Sequence, residues 1–255
     1  MPRHIRLGVI VPSSNTALEP LTQQIVAFLN ADPTFGLLLS VHFARVRVTT
    51  ISLSADADAQ FALSPMLDAA QLLADARVNV IGWSGTSASW LGFAADDALC
   101  TAIEEATGIP ATTAVRGMNS LLQQQRRPHD TVGLVTPYTP DVNKAIQENY
   151  AAAGLTISDG RSRYTGWSDN ITFANLDEPT LDAMVDDVVR HGAQTVLIMC
   201  TNVRAAQRVQ YWERQHDIQV LDSVATTVTA MLDALGIEVK SASAAEAWGK
   251  QFQSS

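Results

Sequence analysis

Two cysteines occur in 255 residues, and one of them stands where a thiol could do chemistry. Cys200 follows the apolar run Thr195-Val196-Leu197-Ile198-Met199 and precedes Thr201-Asn202, the profile of a buried strand ending in a polar turn. Residues 204–216 have helical spacing. A helix led by Arg204 would aim its free N–H groups at the thiol, favouring the thiolate and depressing the pKa. The plain alternative is a small buried hydrophobe at a strand end. Cys100, within Asp96-Asp97-Ala98-Leu99-Cys100-Thr101-Ala102-Ile103, reads as helix packing.

Two further turns carry hydroxyls. Gly85-Thr86-Ser87-Ala88-Ser89 can converge backbone N–H groups and two or three hydroxyls on one oxygen, as an oxyanion or carboxylate pocket requires. It can equally be a helix-capping turn, and Pro12-Ser13-Ser14-Asn15-Thr16 has the same two readings. Tyr138, after Pro137, offers a neutral phenol to a cleft or a packing ring; its place opposite Asn15 in the repeat described next favours the cleft.

The elements that must hold these turns alternate. Strand patterns at 7–11, 38–48, 78–83, 132–135, 195–199 and 219–221 are separated by helical patterns at 68–77, 96–107, 141–153, 178–191 and 204–216. That rhythm predicts an α/β fold, parallel sheets flanked by helices. It also repeats. Leu7-Gly8-Val9-Ile10-Val11-Pro12 returns as Val132-Gly133-Leu134-Val135-Thr136-Pro137, and Val80-Ile81-Gly82-Trp83-Ser84-Gly85-Thr86 is matched by Val196-Leu197-Ile198-Met199-Cys200-Thr201. The chain divides into a first half, 1–118 with 226–255 packing back on it, and a second half, 119–225. Ligands of open parallel sheets gather at the carboxyl ends of strands, so the site belongs in the cleft between the halves.

Composition narrows the function. With 47% hydrophobic residues the chain can bury a large core, and a net charge of −9 argues against a nucleic-acid partner. No apolar run is long enough to span a bilayer or form a signal-peptide core, so no membrane association and a cytoplasmic location are expected. His4, His42, His129, His191 and His216 are scattered without metal-ligand spacing, and no glycine-rich nucleotide motif occurs; no metal and no cofactor are expected. The acidic stretches 56–58 and 182–187 read as solvated faces, and 238–255 as a helix with a frayed tail. A homo-oligomer is left open.

Val11-Pro12-Ser13-Ser14-Asn15-Thr16 and Cys200-Thr201-Asn202-Val203-Arg204 resemble the maleate cis–trans isomerase branch of the aspartate/glutamate racemase superfamily. Thr136-Pro137-Tyr138-Thr139-Pro140-Asp141-Val142-Asn143 fits both that branch and arylmalonate decarboxylase. Asp169-Asn170 resembles a loop from which maleate isomerases supply an asparagine. The resemblance spans nearly the whole chain. It implies two pseudo-symmetric Rossmann-like halves and a small dicarboxylate substrate, with Asn15, Tyr138 and Asn170 holding carboxylate oxygens. Ser13, Thr201 and Asn202 join the candidate carboxylate-binding set.

The chain departs from that pattern at one position. Racemases and maleate isomerases carry one cysteine from each half, and here the first-half position is Gly85, as in arylmalonate decarboxylase, where glycine leaves room for a bulky substituent. Two opposed thiols can move a proton from one face of a carbon to the other; one thiol serves a single protonation. The expectation is a cofactor-free decarboxylase of an aryl- or alkenylmalonate. Thr86, Ser87 and Tyr138 would hold the retained carboxylate, and Cys200, protonated beforehand, would deliver one proton to the enediolate. An apolar wall, with Trp90, Phe43 and Val46 as candidates, would face the departing carboxylate. The rivals are an isomerase or racemase, and a non-catalytic carboxylate-binding protein.

Overall fold

A computed structural model describes residues 2–125, 131–239 and 241–252, so His129 lies outside the described residues. Among the described residues eight strands form two sheets: β1 (Arg3–Pro12), β2 (Leu37–Val46), β3 (Val80–Trp83) and β4 (Ala111–Thr113) in one; β5 (Val132–Thr136), β6 (Ser162–Tyr164), β7 (Thr195–Ile198) and β8 (Gln219–Asp222) in the other. The orders are β2-β1-β3-β4 and β6-β5-β7-β8, every pairing parallel. The halves are therefore one topology used twice. The two three-residue strands, β4 and β6, are too short to leave a pattern in the sequence.

Register makes the repeat exact to the residue. Ile10 pairs with Trp83 and Val135 with Ile198, so Trp83 corresponds to Ile198, and two residues on, Gly85 corresponds to Cys200. Trp83 pairs with Thr113 and Ile198 with Asp222, which makes Thr113 and Asp222 counterparts. The same register sets Pro12 against Pro137 and so Tyr138 opposite Ser13, correcting the alignment of Tyr138 with Asn15.

Side chains alternate across β1, as the pleat requires. Ile5, Leu7, Val9 and Val11 pack with the helices Leu18–Ala31 and Ser223–Asp233 and with Trp248 and Phe252; Ile10 faces the opposite core, shared with the second half. The C-terminal stretch is a helix, Ala242–Trp248, followed by a short 3-10 turn, Lys250–Phe252; residues 253–255 of the expected frayed tail lie outside the described residues. Among the described residues no helix is long and apolar enough to cross a membrane.

Candidate active site

The carboxyl ends of β1, β3, β5 and β7 meet around a small cavity of about 20 Å³, room for one water molecule. Gly85, Thr86, Ser87, Tyr138, Asn170, Cys200 and Thr201 line it on the polar side; Pro12, Val48, Ile51, Phe61, Trp83 and Trp90 complete the wall. Cys200 is 2% exposed. The Tyr138 hydroxyl reaches its sulfur and shares a 2.7 Å hydrogen bond with Thr86 Oγ1. Phenol, threonine and thiol thus form one chain across the seam between the halves.

Burial pushes the Cys200 thiol up to about 12, against the pull of hydrogen bonds from Tyr138 and from the N–H groups of Asn202 and Val203; the Asp222 carboxyl adds to the rise. This reverses the expected depression. No helix begins at Arg204: residues 201–204 turn, a 3-10 segment spans Ala206–Arg208, and the helix Val209–His216 starts later. Cys200 therefore meets two backbone donors instead of a helix dipole, and desolvation of the anion wins. At neutral pH it is a thiol, poor as a nucleophile and able to donate a proton.

The structure divides the other candidates. Thr201 Oγ1 donates to the Ser84 carbonyl (3.1 Å) and accepts from Asn15 Nδ2 (3.2 Å), tying β7 to both β1 and β3. Asn15 Oδ1 caps the helix Leu18–Ala31 through the N–H groups of Ala17 and Leu18. Asn202 accepts from Thr16 N and Ala17 N and donates to the Asn170 carbonyl, so its side chain is a brace between halves and is not available to a carboxylate. Ser13 Oγ is likewise occupied, exchanging bonds with the N–H and carbonyl of Val48. Its neighbour Ser14, which sequence reasoning passed over, accepts from Asn170 Nδ2 at 2.7 Å. Asn15, Asn202 and Ser13 are absent from the cavity wall.

Gly85 is the principal correction. A Cβ there would lie 2.2 Å from Trp83 Cζ2 and 2.4 Å from Cε2, contacts that real side chains do not make. The indole fills the space where a residue-85 side chain would stand, and its Nε1 donates to Ser87 Oγ at 3.3 Å. Glycine here makes room for a tryptophan of the protein itself. Of the three guessed wall residues, Trp90 lines the cavity. Phe43 packs with the outer core of the first half, and Val46 is the buried sheet partner of Pro12. Val48, the last residue of the 38–48 strand pattern, and Ile51 and Phe61, beyond it, come from the segment after β2.

That segment closes the cavity. Ile51 N donates to the Ser168 carbonyl (2.8 Å) and Asn170 N to the Thr49 carbonyl (2.9 Å), with a single antiparallel bridge between Thr50 and Asp169. Cys100 takes no part: it is buried in the helix Ala94–Thr107 against Arg116, and burial raises its thiol to about 11.

Two parallel half-sheets of identical order, with a thiol at their shared carboxyl edge, define the class as an α/β fold whose candidate active site lies between its halves. Comparison with known proteins narrows this. The profile of the arylmalonate decarboxylase family matches residues 46–248, and the chain belongs to that family. It is also 24% identical to a maleate isomerase of Pseudomonas putida over 249 residues, 91% of this chain and 92% of the relative. Its fold is similar to that of the maleate isomerase Iso of Pseudomonas putida S16 bound to maleate (TM-score 0.82, 20% identity, 95% and 96% of the two chains). It also resembles a liganded double mutant of arylmalonate decarboxylase (TM-score 0.72, 21% identity, 91% and 92%).

Proposed function

We propose that this chain decarboxylates an α-substituted malonate and protonates the product on one face. One observation carries the reading: Cys200 is a buried thiol held in its protonated form, and the equivalent position across the cavity, Gly85, has no side chain and is covered by Trp83. A site with one acid suits a reaction with one proton to deliver. The retained carboxylate would lie against Thr86, Ser87 and Tyr138, and the departing one against the apolar wall. The C–C bond breaks, CO₂ leaves, and its electron pair passes into the retained carboxylate as an enediolate, for which these donors are preorganised. Cys200 gives its proton to the α-carbon. The thiolate, stabilised meanwhile by Tyr138 and two N–H groups, is reprotonated from water.

A second reading, cis–trans isomerisation of maleate, has its own support in the higher fold similarity to a maleate isomerase and in the Asn170–Ser14 pair at the seam. Against it stands the high Cys200 pKa, because addition to a double bond calls for a thiolate. Incubation with phenylmalonate and with maleate, followed by NMR, separates the two. Phenylacetate with CO₂ release is expected; fumarate from maleate with no CO₂ from any malonate would replace the decarboxylase by the isomerase.

A further inference from the structure

The short helix Ala88–Leu91 has Ser87 at its N-cap and Trp90 three residues on, a spacing that sets both side chains on one face. Trp90 is buried and lines the cavity, its ring held edge-to-face by Phe61 (centroids 5.8 Å apart) and by Tyr138 (5.3 Å). Its Nε1 is closed off from solvent and has no acceptor among the described residues. The other side-chain N–H donors of the wall have acceptors, Trp83 in Ser87 and Asn170 in Ser14; Thr201 donates to the Ser84 carbonyl, and Tyr138 and Thr86 share one bond. Buried N–H groups are nearly always bonded, so an exception in the wall of a substrate cavity calls for an acceptor from outside the protein.

We propose that the Trp90 indole N–H is a substrate-binding donor, directed at an oxygen of the carboxylate the substrate retains. The inference rests on the reading of the cavity as a dicarboxylate site. It follows from Trp90's neighbours, since Ser87 on its own turn and Tyr138 against its ring are two of the groups assigned to that same carboxylate. The indole adds a donor that does not titrate, and its bond strengthens as the enediolate forms and charge collects on the oxygen.

Trp90→Phe keeps a ring between Phe61 and Tyr138 and removes only the N–H. The unliganded variant is expected to melt at or above the wild-type temperature, because an unpaired donor has gone. Its affinity for phenylacetate, measured by titration calorimetry, is expected to fall about ten- to a hundredfold, and kcat/KM for phenylmalonate at least as much. A second measurement needs no variant: among the five indole N–H signals of the ¹⁵N-tryptophan-labelled protein, that of Trp90, identified by its contacts to the Tyr138 ring, is expected to move downfield on saturation with phenylacetate. Unchanged affinity in Trp90→Phe, or an unmoved Trp90 signal, overturns the donor and leaves the site reading standing. Failure of the wild type to bind phenylacetate or any malonate overturns both.

Discussion

The ends of β3 and β7 hold corresponding positions in the two halves and are built in opposite ways. At the end of β7 a modest side chain, Ile198, is followed two residues later by a thiol; at the end of β3 a large one, Trp83, is followed two residues later by a glycine. The first-half thiol is therefore not simply missing. A tryptophan has taken its volume, and Trp83 and Gly85 act as one coupled feature, because any side chain at 85 and the indole exclude each other. The pseudo-twofold scaffold that could oppose two acids across a substrate presents one acid and one apolar wall.

Removing the acid gives the largest expected effect. Cys200→Ala should lower turnover of the accepted malonate about 10³-fold or more while phenylacetate still binds, since the thiol supplies the proton and the carboxylate donors remain. Steady-state kinetics with calorimetry checks this. Intact turnover would undo the one-acid account, and a chain with no activity to lose on any malonate or maleate would be a carboxylate-binding protein.

Adding the second acid tests the coupling. Gly85→Cys alone should destabilise the fold by about 1–3 kcal/mol or more through overpacking against a fully buried indole. Trp83→Ile with Gly85→Cys, which copies the Ile198–Cys200 arrangement, should recover part of that loss, a non-additivity that denaturant titration would reveal. The double variant should also erode the enantiopurity of an α-aryl carboxylate on a chiral column, because both faces of the enolate then meet a thiol. A single variant as stable as the wild type would remove the coupling.

Much of this scaffold was legible because buried parallel strands are written as short β-branched runs, and the two halves repeat those runs. Cys200 was legible for the same reason: a strand that ends in Cys-Thr-Asn declares a turn. What escaped were properties that distant residues create. Asn202 looks like a ligand residue until its bonds to Thr16, Ala17 and Asn170 are seen; closer in sequence but equally hidden, the Trp83 ring is seen to lie over Gly85 only once its side chain is placed. The thiol's pKa was misjudged because residues 201–208, a turn and a 3-10 segment, separate it from the helix Val209–His216, and no propensity distinguishes that stretch from a helix start.

The same comparison extends one strand outward, with a smaller effect. Thr113 and Asp222 end β4 and β8, and each accepts from the first turn of the helix that follows. The first half borrows its carboxyl, Asp96 bonding Thr113; the second half carries its own, and Asp222 Oδ2 is buried without a partner among the described residues. Burial raises Asp222 from 3.8 to about 7 despite the two capping bonds. An acid raised in the folded state binds its proton more tightly there than in the unfolded chain. Its stabilising contribution is whole below pH 3.8 and is lost as pH rises through about 7. Asp222→Asn keeps the acceptor for Val224 and Ala225 and removes the titration, so its stability should fall less steeply than the wild type's between those limits. The difference should be on the order of one to a few kcal/mol by urea titration at a series of pH values. Because the Asp222 charge also lifts the Cys200 pKa, the variant's alkylation by iodoacetamide should set in at lower pH. Parallel stability curves for the two proteins would overturn the raised Asp222 pKa, and an unshifted alkylation profile would remove its charge from the account of why Cys200 stays protonated.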